Sequence, residues 1–323
     1  MTGPEQRYDV VVVGGGAAGL SAGLMLARVR RSVLVVDAGS PRNAPAAHVH
    51  GLLGHDGIAP LDLIARGRDE LARYGGQFVA GTVARLGQTS DGFEVQMGDG
   101  RTARARRLLL AAGLSDVLPA IPGLRERWGR DVLFCPYCHG WEARDAAIGV
   151  IHTGPLSVKH ALLWRTLSDD VVYLAAGPAL DAADSEVLTA SGIAIEMGVV
   201  DEVLIADDRI VGVLVNGRTM TRSVLSVVPR VVLDEDLMAG VGLEADDHPS
   251  GVGRYLPVDA TGRTATPGVW AAGNLADPTA HVGTAAASAA VAVTHLNADL
   301  VAEDAASAVA QYRAGSGSPG GRG

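Results

Sequence analysis

The chain has 323 residues, 48% of them apolar, and a formal net charge of −9. That length suits two domains of about 100–200 residues each. The acidic balance argues against nucleic-acid binding and leaves no basic footprint for an anionic membrane. Residues 1–8 are polar and the apolar run at 10–13 is only strand-length, so no targeting segment is expected. Nor is any stretch expected to reach transmembrane length once glycine and charge interruptions are counted, and the expected location is cytoplasmic.

In chain order, residues 9–13 read as a buried strand, and Gly14-Gly15-Gly16-Ala17-Ala18-Gly19 turns it into a helix over about 20–28. A second buried strand at 32–36 ends in Asp37. Strand, Gly-x-Gly-x-x-Gly, helix and acid in register predict a dinucleotide site. Gly14 permits the tight turn, Gly16 lets backbone approach a pyrophosphate, and Gly19 allows close helix packing. The helix N-terminus stabilises the anion, and Asp37 can accept ribose hydroxyls. Strands are expected at 78–83 and 93–97, with a turn around Asp91-Gly92, and at 107–111, ending in Ala112-Gly113.

Next comes Phe134-Cys135-Pro136-Tyr137-Cys138-His139-Gly140-Trp141, holding the chain's only 2 cysteines. Cys-x-x-Cys lets two thiols open and close a small disulfide and so carry two electrons. Half a zinc site would need further ligands at matching spacing, and a structural disulfide across two residues closes too short a loop to stabilise much. A second α/β pattern follows: strands at 147–152 and 171–175 around a helix at 156–166, then strands at 193–200, 202–206 and 210–215. Residues 268–272 repeat the small-residue strand end, running into Ala271-Ala272-Gly273-Asn274, before an alanine-rich helix at 283–296. The Gly/Ser/Pro-rich tail from 313 is expected to be disordered.

Glycine fingerprint, Ala111-Ala112-Gly113, Cys-x-x-Cys and Ala-Ala-Gly-Asn in this order, over about residues 8–297, resemble the low-molecular-weight thioredoxin reductase family. The resemblance implies an α/β fold of two Rossmann-like dinucleotide-binding domains, the second inserted in the first. Residues 1–117 and 242–323 would bind FAD, 118–241 would carry the cysteine pair, and the protein would be a homodimer. Carried over, Gly14, Gly16, Ala17, Ala18 and Gly19 would hold the FAD pyrophosphate, Asp37 the ribose, and the Val83 backbone the adenine. Ala111 and Gly113 would lie beside the cofactor, Gly273 and Asn274 near its ribityl and phosphate region, and His281 and Val282 at the pyrimidine edge of the ring. Arg42, Asn43 and His50 are expected in a loop bordering FAD, with no metal at His48, His50 and His55.

Three departures from the family pattern stand out. Asn274 replaces an aspartate, and His139 replaces the acid after the second cysteine. At the expected nicotinamide cradle, His152-Thr153-Gly154-Pro155 keeps only one glycine, and Pro155 lacks an N–H donor. Residues 175–181 offer no cation for a 2′-phosphate, and Asp181, Asp184 and Glu186 would repel one. The central domain is therefore expected to keep its fold and to have lost NADPH. In these respects the chain resembles the dithiol oxidases that close the disulfides of gliotoxin and holomycin. That implies a small-molecule dithiol substrate, oxidised at Cys135–Cys138 with O2 reduced to H2O2. Cys135 would form the mixed disulfide, Cys138 would face the flavin, and His139 would be the base, the alternative being a hydrogen-bonded structural histidine. Tyr137 and Trp141 read equally as pocket walls or as packing. The rival activities are a disulfide reductase fed by NADPH or ferredoxin, and a redox sensor without turnover.

Overall fold

The structure, a computed structural model, describes residues 7–175 and 180–316. Strand β1 (Arg7–Val13) sends Val10 and Val12 to one face and Val11 and Val13 to the other, and all four are buried. Burial on both faces is the signature of a parallel strand inside a doubly wound sheet. Helix α1 (Ala17–Arg28) starts inside the glycine motif rather than after it, because Gly16 serves as its N-cap and two alanines follow. Strand β2 (Val33–Asp37) takes in Asp37 itself. Helix α2 (Pro60–Arg73), with proline in its first turn, was not legible as an element. The strand expected at 78–83 is two strands, β3 (Gln77–Ala80) and β4 (Val83–Thr89). They part at Gly81, whose N–H bonds back to the Asp37 carbonyl. With β5 (Gly92–Met97) and β6 (Thr102–Leu110) they form a sheet ordered β3-β2-β1-β6-β5-β4. β3, β2, β1 and β6 run parallel, while β4, β5 and β6 form an antiparallel meander.

The chain leaves this sheet through β7 (Ser115–Val117) and builds β8 (Val132–Leu133), α3 (Pro136–His139), β9 (Ile148–Ile151), α4 (Leu156–Arg165), β10 (Val171–Ala175), α5 (Ala182–Ala190) and β11 (Ala194–Met197). An antiparallel ribbon of β12 (Val200–Ala206), β13 (Arg209–Val215) and β14 (Arg218–Met220) follows, then β15 (Val224–Val227). The second sheet is parallel, in the order β11-β10-β9-β15-β8. The chain returns through β16 (Arg230–Val232), paired antiparallel with β7, so outgoing and incoming crossings lie side by side. Helix α6 (Glu235–Ala239) comes next, and Leu237, Met238 and Val241, expected within the second domain, pack in the core of the first sheet. The strand pair β17 (Asp246–Asp247) and β18 (Arg254–Tyr255) precedes β19 (Val269–Ala271), which adds to the first sheet beside β6.

Helix α7 (Val282–Ser316) is far longer than the 283–296 expected. Alanine carries it through Gly283, and its later acids, rather than stopping it, bind the first sheet: Arg106 reaches Glu303 and Asp304, and Arg107 reaches Asp299 and Glu303. By length and composition alone Val282–Ala314 could cross a membrane, which corrects the expectation that no stretch reaches that length. Its Ala285, Ala289, Ala292, Val293, Leu296 and Leu300 are buried in the core shared with α1. Residues 313–316 belong to this helix, and 317–323 lie outside the described residues.

Candidate active site

Cys135 follows the short edge strand β8 and caps α3, with Pro136 in the first turn, a place where a missing N–H costs nothing. Gly140 ends the helix; a Cβ there would stand 2.3 Å from the Pro136 carbonyl oxygen, so the tight loop requires glycine. Cys135 and Cys138 form a disulfide with Cα atoms 5.2 Å apart. The Cys138 N–H donates to Cys135 Sγ at 3.1 Å, a contact that favours a thiolate there once the bond opens. Beneath the pair, Phe134 stacks on His160 with ring centroids 5.1 Å apart. Above it, Tyr137 and Trp141 are 71% and 70% exposed, so packing does not account for them.

The histidines fall differently from the sequence reading. Both ring nitrogens of His139 are buried and bond no sulfur, and burial lowers its pKa from the ordinary value. His281, expected at the pyrimidine edge of the flavin, has Nε2 3.5 Å from Cys135 Sγ, a contact the sequence did not suggest. It also meets Tyr137 edge-on at 6.0 Å between centroids. His50 pairs with Asp56 at 3.3 Å and with Glu142 at 3.5 Å, an acid the sequence did not single out. His48 bonds the Gly57 carbonyl. The ligand atoms of Cys135, Cys138 and His281 lie within 4.8 Å of one another, a grouping separate from the His48, His50 and His55 loop.

The dinucleotide cradle is set by its backbone. Gly14 has φ +99°, and a Cβ on it would lie 2.2 Å from the Ala111 carbonyl oxygen. A Cβ on Gly16 would meet nothing within 4 Å, so an open gap faces the first turn of α1. The N–H groups of that turn have no intrahelical acceptor, as an anion requires. Asp37 Oδ1 accepts the Gly15 N–H at 2.9 Å, and Oδ2 accepts from the Gly39 N–H and from Arg68. Ala18 comes against Gly273, where a Cβ would lie 2.8 Å from the Ala18 Cβ. Ala17 is half-buried in the first turn of α1, Ala111 follows β6, Gly113 has φ +70°, Val83 opens β4 and Val282 opens α7. Glycine-lined backbone, a helix N-terminus and an oriented acid fit FAD.

Arg42 and Asn274 make contacts that the sequence did not suggest. Arg42 forms a double hydrogen bond to Asp116 and donates to the Pro278 carbonyl at 2.9 Å. Asn274 Nδ2 donates to the carbonyls of Asp277 at 3.1 Å and Ala280 at 2.9 Å. Asn43 is half-buried, and its carbonyl closes a turn to Ala46.

In the central sheet the corresponding cradle is occupied by the chain's own groups. His152 Nδ1 meets the Tyr173 hydroxyl at 2.6 Å, the Thr153 N–H donates to Ser157 Oγ at 2.9 Å, and Thr153 Oγ1 donates to the Val228 carbonyl at 2.8 Å. Pro155 is the N-cap of α4. Asp181 is committed to capping α5. Of the segment expected to lack a cation, residues 176–179 lie outside the described residues.

A doubly wound cradle beside a cysteine disulfide, with a second dinucleotide-type sheet, defines a flavin-dependent disulfide enzyme. Residues 8–294 match the pyridine nucleotide-disulphide oxidoreductase family, and the chain belongs to it. A crystal structure of HlmI is similar at TM-score 0.90 and 43% identity, over 96% of this chain and 98% of that one. Thioredoxin reductase sirT of Leptosphaeria maculans is 30% identical over 84% of this chain and 88% of its own length. A probable thioredoxin reductase of Arthroderma benhamiae is 37% identical over 54% of this chain and 45% of its own length, so the chain spans about half of that relative.

Proposed function

We propose that the protein is a FAD-dependent dithiol oxidase that closes a disulfide in a small secondary-metabolite dithiol. The observation that carries this reading is the contrast between the two cradles: one is glycine-lined and open at Gly16, the other is filled by His152, Tyr173 and Pro155 beside an intact cysteine pair. A substrate thiolate attacks Cys135, Cys138 leaves, and the second substrate thiolate resolves the mixed disulfide, leaving the pair reduced. Tyr137 and Trp141 supply exposed aromatic walls for a compact ligand. Gly14, Gly16, Ala17, Ala18, Gly19 and Asp37 hold the dinucleotide end of FAD. The chemistry a bound FAD supplies is two-electron oxidation of the cysteine pair, with O2 as acceptor and H2O2 as product. The same reading makes the protein a cytoplasmic homodimer, with the FAD-binding and cysteine-bearing domains following the two sheets.

The test is an anaerobic one on the yellow protein. Dithiothreitol should bleach the flavin, NADPH should not, and air should restore the colour with formation of H2O2. Rapid bleaching by NADPH would instead return the protein to the reductases.

A further inference from the structure

We propose that His281 is the catalytic base at Cys135, and that Asn274 and Arg42 are positioning residues that hold it there. The proposal rests on the dithiol-oxidase reading. His281 and Cys135 are 146 residues apart and come from different sheets, yet the imidazole Nε2 lies 3.5 Å from the sulfur. Imidazole exchanges a proton near neutral pH, and thiolate rather than thiol is the attacking species.

The turn carrying His281 is clamped from three sides. Asn274 donates to the carbonyls of Asp277 and Ala280. Carbonyl oxygens only accept, so the amide nitrogen must face them, and an aspartate at 274 could not make either bond. Arg42, fixed by Asp116, donates to the Pro278 carbonyl between those two. The Asp277 carboxylate accepts from the Thr279 N–H at 2.9 Å and the Thr279 hydroxyl at 2.7 Å. The His281 carbonyl then accepts the Ala285 N–H at 2.8 Å, which sets it at the start of α7. Asn274, Arg42 and the Asp277 carboxylate all act on the turn at residues 277–281, so their effect on chemistry runs through the imidazole that turn carries.

The proton path balances. His281 takes the proton of the first substrate thiol. That sulfur bonds Cys135 Sγ, the Cys135–Cys138 bond breaks, and Cys138 leaves with the electron pair as thiolate. The second substrate thiol gives its proton to the Cys138 thiolate and bonds the first substrate sulfur. Cys135 leaves with its electron pair and recovers the proton held by His281. The product is one substrate disulfide and two enzyme thiols. His139 is poorly placed for this exchange, since neither of its ring nitrogens bonds a sulfur.

The charged and titratable groups around His281 are Cys135 and Tyr137 on one side, Asp277 in its own turn, and the Arg42–Asp116 pair behind it. Glu142 and His50 pair with each other and act on His139.

The experiment is stopped-flow reduction of the holoenzyme flavin by dithiothreitol, without O2, from pH 5.5 to 9.5. His281→Gln should lose roughly 100-fold or more at pH 7, the usual worth of a general base. Its rate should then follow the ionisation of dithiothreitol and converge on the parent at high pH. His139→Gln should keep the parental pH midpoint. Asn274→Asp should slow the reaction at least about tenfold in the same pH-dependent way, and His281→Gln/Asn274→Asp should be no slower than His281→Gln alone. Should a variant bind flavin poorly, iodoacetamide alkylation of Cys135 in the reduced protein reads the same base, with its pH profile moving only when His281 or Asn274 is changed. The proposal is overturned if His281→Gln keeps the parental rate and pH midpoint, or if the Asn274 and His281 effects multiply. If dithiothreitol fails to bleach the parent, it is the oxidase reading itself that falls.

Discussion

The pyrophosphate gap at Gly16 can be separated from the packing contact at Gly19 by two alanines. A Cβ on Gly19 would stand 1.8 Å from the Gly14 carbonyl oxygen and 3.4 Å from Val12 Cγ1. The start of α1 must therefore back away by about 1.5 Å, and Leu20, Ala22 and Leu26, all buried, resist it. Overpacking of this kind costs about 1–3 kcal/mol, which at roughly 2–4 °C per kcal/mol lowers Tm by about 2–12 °C. At Gly16, φ is −74° and the added methyl touches nothing within 4 Å, so Gly16→Ala should leave the Tm of the flavin-free protein unchanged. Its methyl instead occupies the space the pyrophosphate must enter. A penalty of about 1–3 kcal/mol there weakens flavin binding roughly 10- to 100-fold. Flavin-to-protein absorbance after dialysis, with thermal melts of stripped protein, reads both quantities. Full flavin retention by Gly16→Ala would show that the gap is not the pyrophosphate site. An unchanged Tm for Gly19→Ala would show that the helix–strand contact is slack.

Burial pushes the His160 pKa down to about 4. The folded protein thus binds the proton less well than the unfolded chain, so stability is full above about pH 6.5 and is lost as pH falls towards 4, by about 3 kcal/mol in all at 1.36 kcal/mol per unit. Urea unfolding at pH 7, 5.5 and 4.5 should show that slope, and His160→Phe, which keeps a ring against Phe134, should flatten it; an equal slope in both proteins refutes the assignment. Arg127 is buried and bonds Asp131 and Asp208, tying the loop before the cysteines to the turn between β12 and β13. Arg127→Ala removes the partner of Asp131, while Asp208 keeps Arg130, so a loss of about 1.5–3 kcal/mol is expected, seen as a Tm lower by roughly 3–12 °C; a change under about 2 °C would show the network to be idle.

Much of the fold was legible because its determinants are local. The strand–glycine–helix–acid run needs no long-range information, and β1, α1 and β2 appear within a few residues of their expected bounds. The central strands at Ile148–Ile151 and Val171–Ala175 were readable as short apolar runs, both of them buried throughout. What failed was decided by tertiary partners. Helix α2 has a mostly exposed, charged surface and buries only Pro60, Ile64 and Leu71, so its apolar stripe is thin. The length of α7 depends on arginines of β6 and the preceding chain that collect its acids, and no window around residue 300 reveals them.

The candidate site divides in the same way. A phosphate cradle requires side chains to be missing, so the glycines at Gly14–Gly19 and the side chains standing at His152 and Pro155 are legible from residue types alone, and the structure adds only what those side chains touch. The neighbour of a sulfur is a matter of where two sheets meet. His139 is adjacent to Cys138 in sequence, yet its ring nitrogens bond no sulfur, whereas His281 reaches Cys135 from the turn before α7. The signal that could have pointed to His281 is the asparagine at 274, which exchanges an acceptor-only side chain for one able to donate to the turn that carries the imidazole. Sulfur and base belong to different sheets, so any rotation of one against the other separates them. On the proposed mechanism Cys135 is activated only while the cysteine pair lies against the sheet that carries the FAD cradle. Substrate attack is thereby confined to the arrangement in which the electron pair has somewhere to go.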